Sequence, residues 1–481
     1  MENKNYLVVD SGTGNCKVVL INATGHIVDV LSFENKYYKD YEYTDAQYFM
    51  PQEWEEKILS ACKELLDRNK NTKIDAVIST SARQSVVLYD EKGNAFYGLP
   101  NIDNRGKDWM DEITDRGEIY DKTGRWVTED FPAAKIFGLN KKKPDLFSKM
   151  HKFTSVSEWV GSIFTGEICI EPSQACETQL YNINIGDWDE ALCKSYKIPM
   201  TVLPELKDAG QKLGDVKESV LTYLGLEYGV IFIIGGADTQ MALKGINIKA
   251  NEFGIISGTT SPVLTLNNEK IYDPEEKCWV NVDLASNHYV IETNPGVTGL
   301  NYQRLKNLIA PTISYEEIEL MYDKMDSYKC TVSLTSLDFA RKRSLGPGGI
   351  ILTSPLNTMD SVYDILWSAM ADIACSIYTQ YLNLNSMTSN MKDYIKCGGG
   401  GFRSRTLCQM LADMTNRKIL LYNKFEQATT IGTIVLANRY FGEEENLELS
   451  VLREYTPRKD SLVLQYYKDW MKNRKLISER N

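Results

Sequence analysis

The sequence predicts an α/β protein of two domains with similar topology facing each other. Three observations carry that expectation. Strand-like and helix-like runs alternate along the chain, the pattern of a sheet covered by helices. A short hairpin near the start is echoed about half a chain later, with Ser11 and Ser257 lying 246 residues apart. The length of 481 residues corresponds to two to four domains at about 100 to 200 residues each.

The elements follow in order. Tyr6 to Ser32 reads as an antiparallel meander: Leu7-Val8-Val9, a polar turn Asp10-Ser11-Gly12-Thr13-Gly14-Asn15, then Val18 to Ile21, a second turn Asn22-Ala23-Thr24-Gly25, and Ile27 to Leu31. Gln52 to Asn69 carries Trp54, Ile58, Leu59, Cys62, Leu65 and Leu66 on one helical face. A buried strand over Ile74 to Ile78 follows. Val230 to Ile234 is another, leading through Gly235-Gly236-Ala237-Asp238 into a helix. Gly254 to Asn268 then repeats the order strand, Ser-Gly-Thr turn, strand, Asn turn. The joint between domains is therefore expected near 245–252, giving domains 1–248 and 249–481. The tail from Glu443 is charge-rich, helix-like over Leu462 to Trp470, and shows no evident chemistry.

Composition narrows the function classes. A formal net charge of −11 opposes nucleic acid and anionic lipid over the surface as a whole. The longest apolar stretch, around Val230 to Ile234, falls far short of the roughly 20 residues that cross a bilayer, so a cytoplasmic location is expected. Ten scattered cysteines include no C-x-x-C pair and read as reduced packing residues. Three isolated histidines leave little material for a metal centre or a Ser-His-Asp triad.

Five elements could carry chemistry. The turn after Asp10, with Gly12, Thr13, Gly14, Asn15 and Lys17, offers amides, hydroxyls and a positive charge to phosphate, with Asp10 able to hold Mg2+ through water; the alternative is a plain polar turn. Ser257-Gly258-Thr259-Thr260-Ser261 supplies a second such turn, and a pair from opposed domains would clamp a polyphosphate. Asp238 reads as a general base for a hydroxyl or as a helix N-cap. Gly398 to Gly401, followed by Phe402 and a helix, reads as bare backbone for a flat ring or as a plain loop. Arg83-Gln84 and Asn101-x-Asp103 provide donors and acceptors for vicinal hydroxyls, or are ordinary surface loops.

Taken together, D-S-G-T-G-N-x-K at 10–17, R-Q at 83–84, N-x-D-x-R at 101–105, G-G-A-D at 235–238, S-G-T-T-S at 257–261 and G-G-G-F-R-S at 399–404 resemble the FGGY carbohydrate kinases over about residues 5 to 445. The resemblance implies two actin-like, ribonuclease H-type domains with an active-site cleft between them, sugar held mainly by the first and nucleotide by the second. It implies Asp238 as catalytic base and metal neighbour, Asp10 as the carboxylate near Mg2+, and Thr13 and Lys17, with Gly12 and Asn15, as the first phosphate loop. Thr259 with Gly258 matches the second loop, and Gly400 and Gly401 the adenine side. Phe402 stands where the family usually carries Ala or Ser, and is expected beside the nucleotide ring. The acceptor is expected to meet Arg83, Gln84, Asn101, Asp103 and Thr239.

Arg83-Gln84 and Asn101-x-Asp103 look most like the autoinducer-2 kinase pattern, where xylulokinases usually show Met-His and Trp-x-Asp. Glycerol kinase also uses an arginine and an acid there. The expected activity is thus ATP- and Mg2+-dependent phosphorylation of a terminal hydroxyl on a small sugar-like molecule, the autoinducer-2 precursor dihydroxypentanedione first, a pentulose or polyol second. Expected partners are that small molecule and ATP, with no nucleic acid and no membrane, and a homodimer allowed as assembly. The competing class is an actin-like ATPase switch, which has no need of the polar set around Asp238.

Overall fold

The computed structural model describes residues 4–271, 273–284, 288–335, 337–338, 343–344, 348–356, 361–388 and 392–478. The chain forms two compact units. The first comprises Met1–Gly245, Val280–His288 and Thr429–Glu448, the second Ile246–Trp279, Tyr289–Ala428 and Leu449–Asn481.

In the first unit β1 (Asn5–Ser11), β2 (Asn15–Asn22) and β3 (Ile27–Glu34) form an antiparallel meander. β4 (Ala76–Ser81) runs parallel to β1, and β6 (Ile231–Ala237) parallel to β4, with β5 (Lys212–Asp215) antiparallel at the edge. The six-stranded order is β5-β6-β4-β1-β2-β3. Burial follows position. All of β4 and β6 is buried, as central parallel strands require, whereas edge strand β3 alternates between half-buried and exposed residues. β4 extends past the expected apolar run to Ser81 because its hydroxyls are satisfied. Thr80 Oγ1 donates to the Gly236 carbonyl at 2.9 Å, and the Ser81 hydroxyl accepts from Ser157 N–H at 3.0 Å.

Helix Pro51–Arg68 starts with proline at its first turn, where no N–H is needed, and buries Trp54, Ile58, Cys62, Leu65 and Leu66. They meet Leu7 and Val9 of β1 in one core with Trp159 and Val160 of helix Val156–Thr165, which Gly166 ends at φ 87°. All ten cysteines are buried and none is in a disulfide. Among the described residues no helix is long and apolar enough to cross a membrane.

In the second unit β7 (Phe253–Ile256), β8 (Val263–Asn267) and β9 (Tyr289–Thr293) form the same meander. β10 (Tyr394–Gly398) is parallel to β7, β11 (Lys418–Tyr422) parallel to β10, and β12 (Val451–Tyr455) antiparallel to β11. Within this sheet the neighbours run β9-β8-β7-β10-β11-β12; β9 to β11 repeat the order β3-β2-β1-β4-β6 of the first unit, while β12 follows its neighbour in the chain where β5 precedes β6. This is the actin-like plan occurring twice.

The leading stretch of the first unit runs to Gly245, at the start of the expected 245–252 joint, and two later segments beyond the expected boundary belong to it as well. The reason is specific pairing. In helix Ala428–Phe441, Asn438 accepts from the Tyr6 hydroxyl at 2.9 Å and donates to the Ala23 carbonyl at 2.8 Å. Tyr6 and Phe441 stack with ring centroids 6.0 Å apart. The tail, for its part, is structural: in helix Leu462–Ser478, Trp470 Nε1 donates to buried Asp372 at 2.7 Å and Tyr466 donates to the Ser368 carbonyl.

Candidate functional site

In the first unit the strand ends deliver the polar groups. Asp10 lies opposite Lys17 across the β1–β2 hairpin, and burial raises its carboxyl while Lys17 lowers it. The turn between them is tied back by its carbonyls: Asn35 Nδ2 donates to Gly12 O at 2.7 Å and the Tyr37 hydroxyl to Thr13 O at 2.6 Å. Gly12 N–H donates to Asn15 O at 3.0 Å, and the Asn15 and Lys17 side chains are exposed.

Asp238 opens helix Asp238–Gly245 directly after β6. Close backbone approach brings it there, since a Cβ at Gly235 would overlap the Ser79 carbonyl of β4. Burial pushes the Asp238 carboxyl up to about 6, Arg83 pulls it down, and Asp10 pushes it further up. The Thr239 hydroxyl donates to it at 3.2 Å. Asp10 and Asp238 thus feel each other's charge, and one or two carboxylates are the set Mg2+ takes alongside water and phosphate. Among the described residues no group of three or more His, Cys, Asp or Glu forms an all-protein cage.

Arg83 and Gln84 follow β4 and converge on one carboxylate. Glu177, 1% exposed, accepts from Arg83 Nη1 at 3.2 Å, Gln84 Nε2 at 3.4 Å, Arg125 Nη2 at 2.6 Å and Asn281 Nδ2 at 2.8 Å. Gln84 adopts φ 66°, a left-handed conformation that a non-glycine residue keeps only when its surroundings fix it. Those surroundings include Lys135, fully buried, which donates to the carbonyls of Gln84 and Pro100 at 2.8 Å each. Lys135 thereby joins the Arg83-Gln84 turn to the Asn101 loop. Burial lowers its ammonium to about 8, against the pull of Asp103. Asn101 Nδ2 donates to Thr13 Oγ1 at 2.7 Å, and its Oδ1 is buried without a partner among the described residues.

Asp103 is placed differently from the expected open acceptor group. It is fully buried, with one oxygen accepting from Arg105 Nε at 2.7 Å and the other from Gln47 N–H at 2.9 Å. Its work is to fix the loop, because both oxygens are already engaged and an Asp-Arg pair taken out of water needs such partners.

The second unit holds a cavity of about 850 Å3. Gly258, Thr259, Gly400 and Gly401 line it, facing apolar groups such as Leu300 and Ile318. Gly399, at φ 95°, and Gly401 press against Ser257, where any Cβ would overlap. Gly401 N–H donates to Ser257 O at 3.0 Å. Ser404 caps helix Arg405–Thr415 through Leu407 N–H, while Glu319 accepts from Thr406 N–H at 3.0 Å and from the Ser404 hydroxyl. Phe402, expected beside a nucleotide ring, is fully buried and does not line the cavity. The tight turn over Gly400–Arg403 sends this apolar ring into the core, leaving bare glycine backbone on the cavity wall.

Sequence reasoning missed Glu177, Arg125, Lys135, Asn281 and Glu319. Glu177 lies 94 residues from Arg83, 52 from Arg125 and 104 from Asn281, so no local spacing betrays it.

The N-terminal domain model of the FGGY family of carbohydrate kinases matches residues 5–245, and the C-terminal domain model residues 254–440. A Bacillus subtilis protein named "Putative sugar kinase YoaC" is 36% identical over 479 residues, 99% of this chain and 98% of the relative. An autoinducer-2 kinase of Klebsiella pneumoniae is 22% identical over 94% of this chain and 90% of its own. Among solved structures, xylulose kinase of Lactobacillus acidophilus superposes with TM-score 0.84 at 19% identity, covering 99% of this chain and 97% of that one. Plasmodium falciparum glycerol kinase with ADP gives TM-score 0.84 at 20% identity over 99% and 98% of the two chains. Those two share the fold. The two domain models, together with a relative 36% identical along nearly the whole chain, show that this chain belongs to the FGGY family of carbohydrate kinases and is a sugar kinase.

Proposed function

We propose that the protein transfers the γ-phosphoryl group of ATP to a terminal hydroxyl of a small, hydroxyl-dense acceptor, with dihydroxypentanedione, the autoinducer-2 precursor, as first candidate. The observation that carries this reading is the convergence of Arg83 and Gln84 on Glu177 in the unit that also holds Asp238. These groups present a guanidinium and an amide in fixed orientations, suited to vicinal oxygens. The relatives named autoinducer-2 kinase support the dione. The Thermotoga maritima relative named glycerol kinase 1, 25% identical over 98% of this chain, supports a polyol or pentulose as second candidate.

In this reading Asp238 accepts the proton of the attacking hydroxyl. The hydroxyl oxygen forms a bond to the γ-phosphorus as the bond to the ADP oxygen breaks. A carboxyl raised to about 6 is ionised at neutral pH, yet basic enough to take the proton as negative charge leaves the oxygen. Arg83 and Gln84 orient the acceptor, and the Thr239 hydroxyl steadies the base. Asp10 and Asp238 would hold Mg2+, which neutralises phosphate charge when bound. Gly258, Thr259, Gly400 and Gly401 offer backbone to the nucleotide along the cavity of the second unit; in the first unit, Gly12, Thr13, Asn15 and Lys17 offer donors of the kind phosphate takes.

Initial rates of ADP formation with the dione, xylulose, ribulose, erythritol and glycerol test the reading. The dione is expected to be fastest, followed by a pentulose or erythritol. Preference for a hexose, or for an alcohol without vicinal hydroxyls, overturns both candidates. Because a deoxy analogue leaves buried polar groups unpaired at a cost of about 1 to 3 kcal/mol each, such analogues should be poor acceptors.

A further inference from the structure

We propose that Glu177 is the specificity-determining residue of the acceptor site, setting its charge so that uncharged polyhydroxy molecules are taken and sugar acids of the same size refused. The inference rests on the functional reading above and names what that reading leaves open. Two guanidiniums meet at Glu177: Arg125, wholly buried, at 2.6 Å and Arg83, with its side chain 12% exposed, at 3.2 Å. Left alone, that pair would form an anion receptor, because arginine forks match carboxylates in geometry as well as charge.

The charge is cancelled within the cluster. Glu177 accepts from both guanidiniums, and Asp238, raised by burial to about 6 and so ionised at neutral pH, is drawn back down by Arg83. Among Arg83, Arg125, Glu177 and Asp238, two carboxylates thus stand against two guanidiniums. A carboxylate entering with the substrate would meet Arg83 already engaged, with Glu177 and Asp238 repelling it in surroundings where screening is weak. A hydroxyl brings no such conflict, since it can accept from Arg83 and Gln84 and donate to Asp238.

Glu177 is also built in more firmly than a plain counter-ion needs. Asn281 Nδ2 donates to the same Oε1 at 2.8 Å, and Asn281 Oδ1 in turn accepts from Val282 N–H at 2.8 Å. Gln84 Nε2 reaches Oε2 at 3.4 Å. The carboxylate thus fixes the orientation of both acceptor-facing side chains along with their charge.

The test compares wild type, Glu177→Gln and the double variant Glu177→Gln/Arg125→Gln. Affinities for erythritol and xylulose, and for the acids erythronate and xylonate, are measured by calorimetry alongside Michaelis constants for each acceptor and for ATP. Wild type is expected to favour the neutral acceptors. Glu177→Gln keeps volume but leaves one guanidinium uncompensated, so the neutral-to-acid affinity ratio should fall about tenfold or more, with the ATP constant unmoved. The double variant restores neutrality and should regain the preference. If the single variant does not fold, Arg125→Gln approaches from the other side, leaving one net negative charge that must deepen the discrimination against acids.

A wild type that prefers acids, or an unchanged ratio in Glu177→Gln and Arg125→Gln, overturns the inference even if the protein is an active kinase on neutral acceptors. Binding preferences that follow the charge pattern without turnover uphold the inference and overturn the assigned reaction. Absence of binding by all four compounds overturns both.

Discussion

The two units share the order of five strands and use it for opposite ends. In the first, the loop after β4 runs into a small sheet of Val86–Tyr89, Ala95–Leu99 and Lys152–Ser155, and the polar residues it brings in are locked together with little exposure. Glu177, Arg125, Asp103, Arg105 and Lys135 are all buried and partnered. In the second, the corresponding strand ends at Gly398 and glycine backbone opens onto a cavity of about 850 Å3. The difference teaches that the sheet supplies rigid strand ends, while inserted loops decide whether those ends carry fixed charges or open space. A polar acceptor that must be oriented atom by atom suits the first arrangement. A large flat ring suits the second.

The largest expected effect breaks the chemistry of the first unit alone. Asp238→Asn keeps the shape at the helix start but cannot take a proton, so turnover should fall by about 10² to 10⁴. Nucleotide affinity, measured by calorimetry with ADP, should stay near wild type. Full activity in this variant would reduce Asp238 to a helix-terminal residue and remove the contrast between the units.

Next comes Phe402. Because the ring is fully buried, Phe402→Ala should cost about 3 to 5 kcal/mol of stability in urea unfolding. The ATP Michaelis constant, measured below the unfolding range, should change little. A large change in that constant with little loss of stability would return Phe402 to the cavity wall.

Gly401→Ala sharpens the comparison from the other side. Its Cβ would overlap Ser257, and relieving such a clash costs about 1 to 3 kcal/mol. The ATP Michaelis constant should rise about tenfold, leaving the acceptor constant within about twofold. Equal changes in both would mean that Gly401 acts through general stability.

The smallest effect is a pH slope. Burial disfavours the Lys135 charge and lowers its ammonium from the usual 10.5 to about 8. Between those values the unfolded chain holds a proton that the native protein lacks, so the Lys135 contribution to stability rises with pH through that window. It is least favourable below pH 8. Urea unfolding from pH 7.5 to 9.5 should show this rise in wild type and lose it in Lys135→Met. A slope that persists in the variant belongs to another group.

Much of this was legible in the sequence where signals are local. The meander over Tyr6–Ser32 and its echo at Gly254–Asn268 announced themselves by apolar runs broken by Gly, Asn and Thr, and both appear as paired strands. Helix Pro51–Arg68 followed from its apolar face. Asp103 and Phe402 were readable as residues but not as roles. A polar residue in a loop can point to substrate or to a buried arginine, and an aromatic after glycines can cover a cavity or turn into the core. Side-chain direction at such turns depends on neighbours the local sequence does not contain.

The sequence by itself determined the α/β class, the duplication, the family motifs and the strand ends that hold Asp10, Asp238, Thr259 and Gly400. These depend on periodicity and turn chemistry within a few residues. Only the tertiary structure decided that Val280–His288 and Thr429–Glu448 belong to the first unit, that Lys135 bridges Gln84 to Pro100, and that Glu177 gathers Arg83, Gln84, Arg125 and Asn281. The physical reason is that a buried charge has no meaning until its partners arrive, and here they come from segments 52 to 104 residues away whose meeting is set by packing.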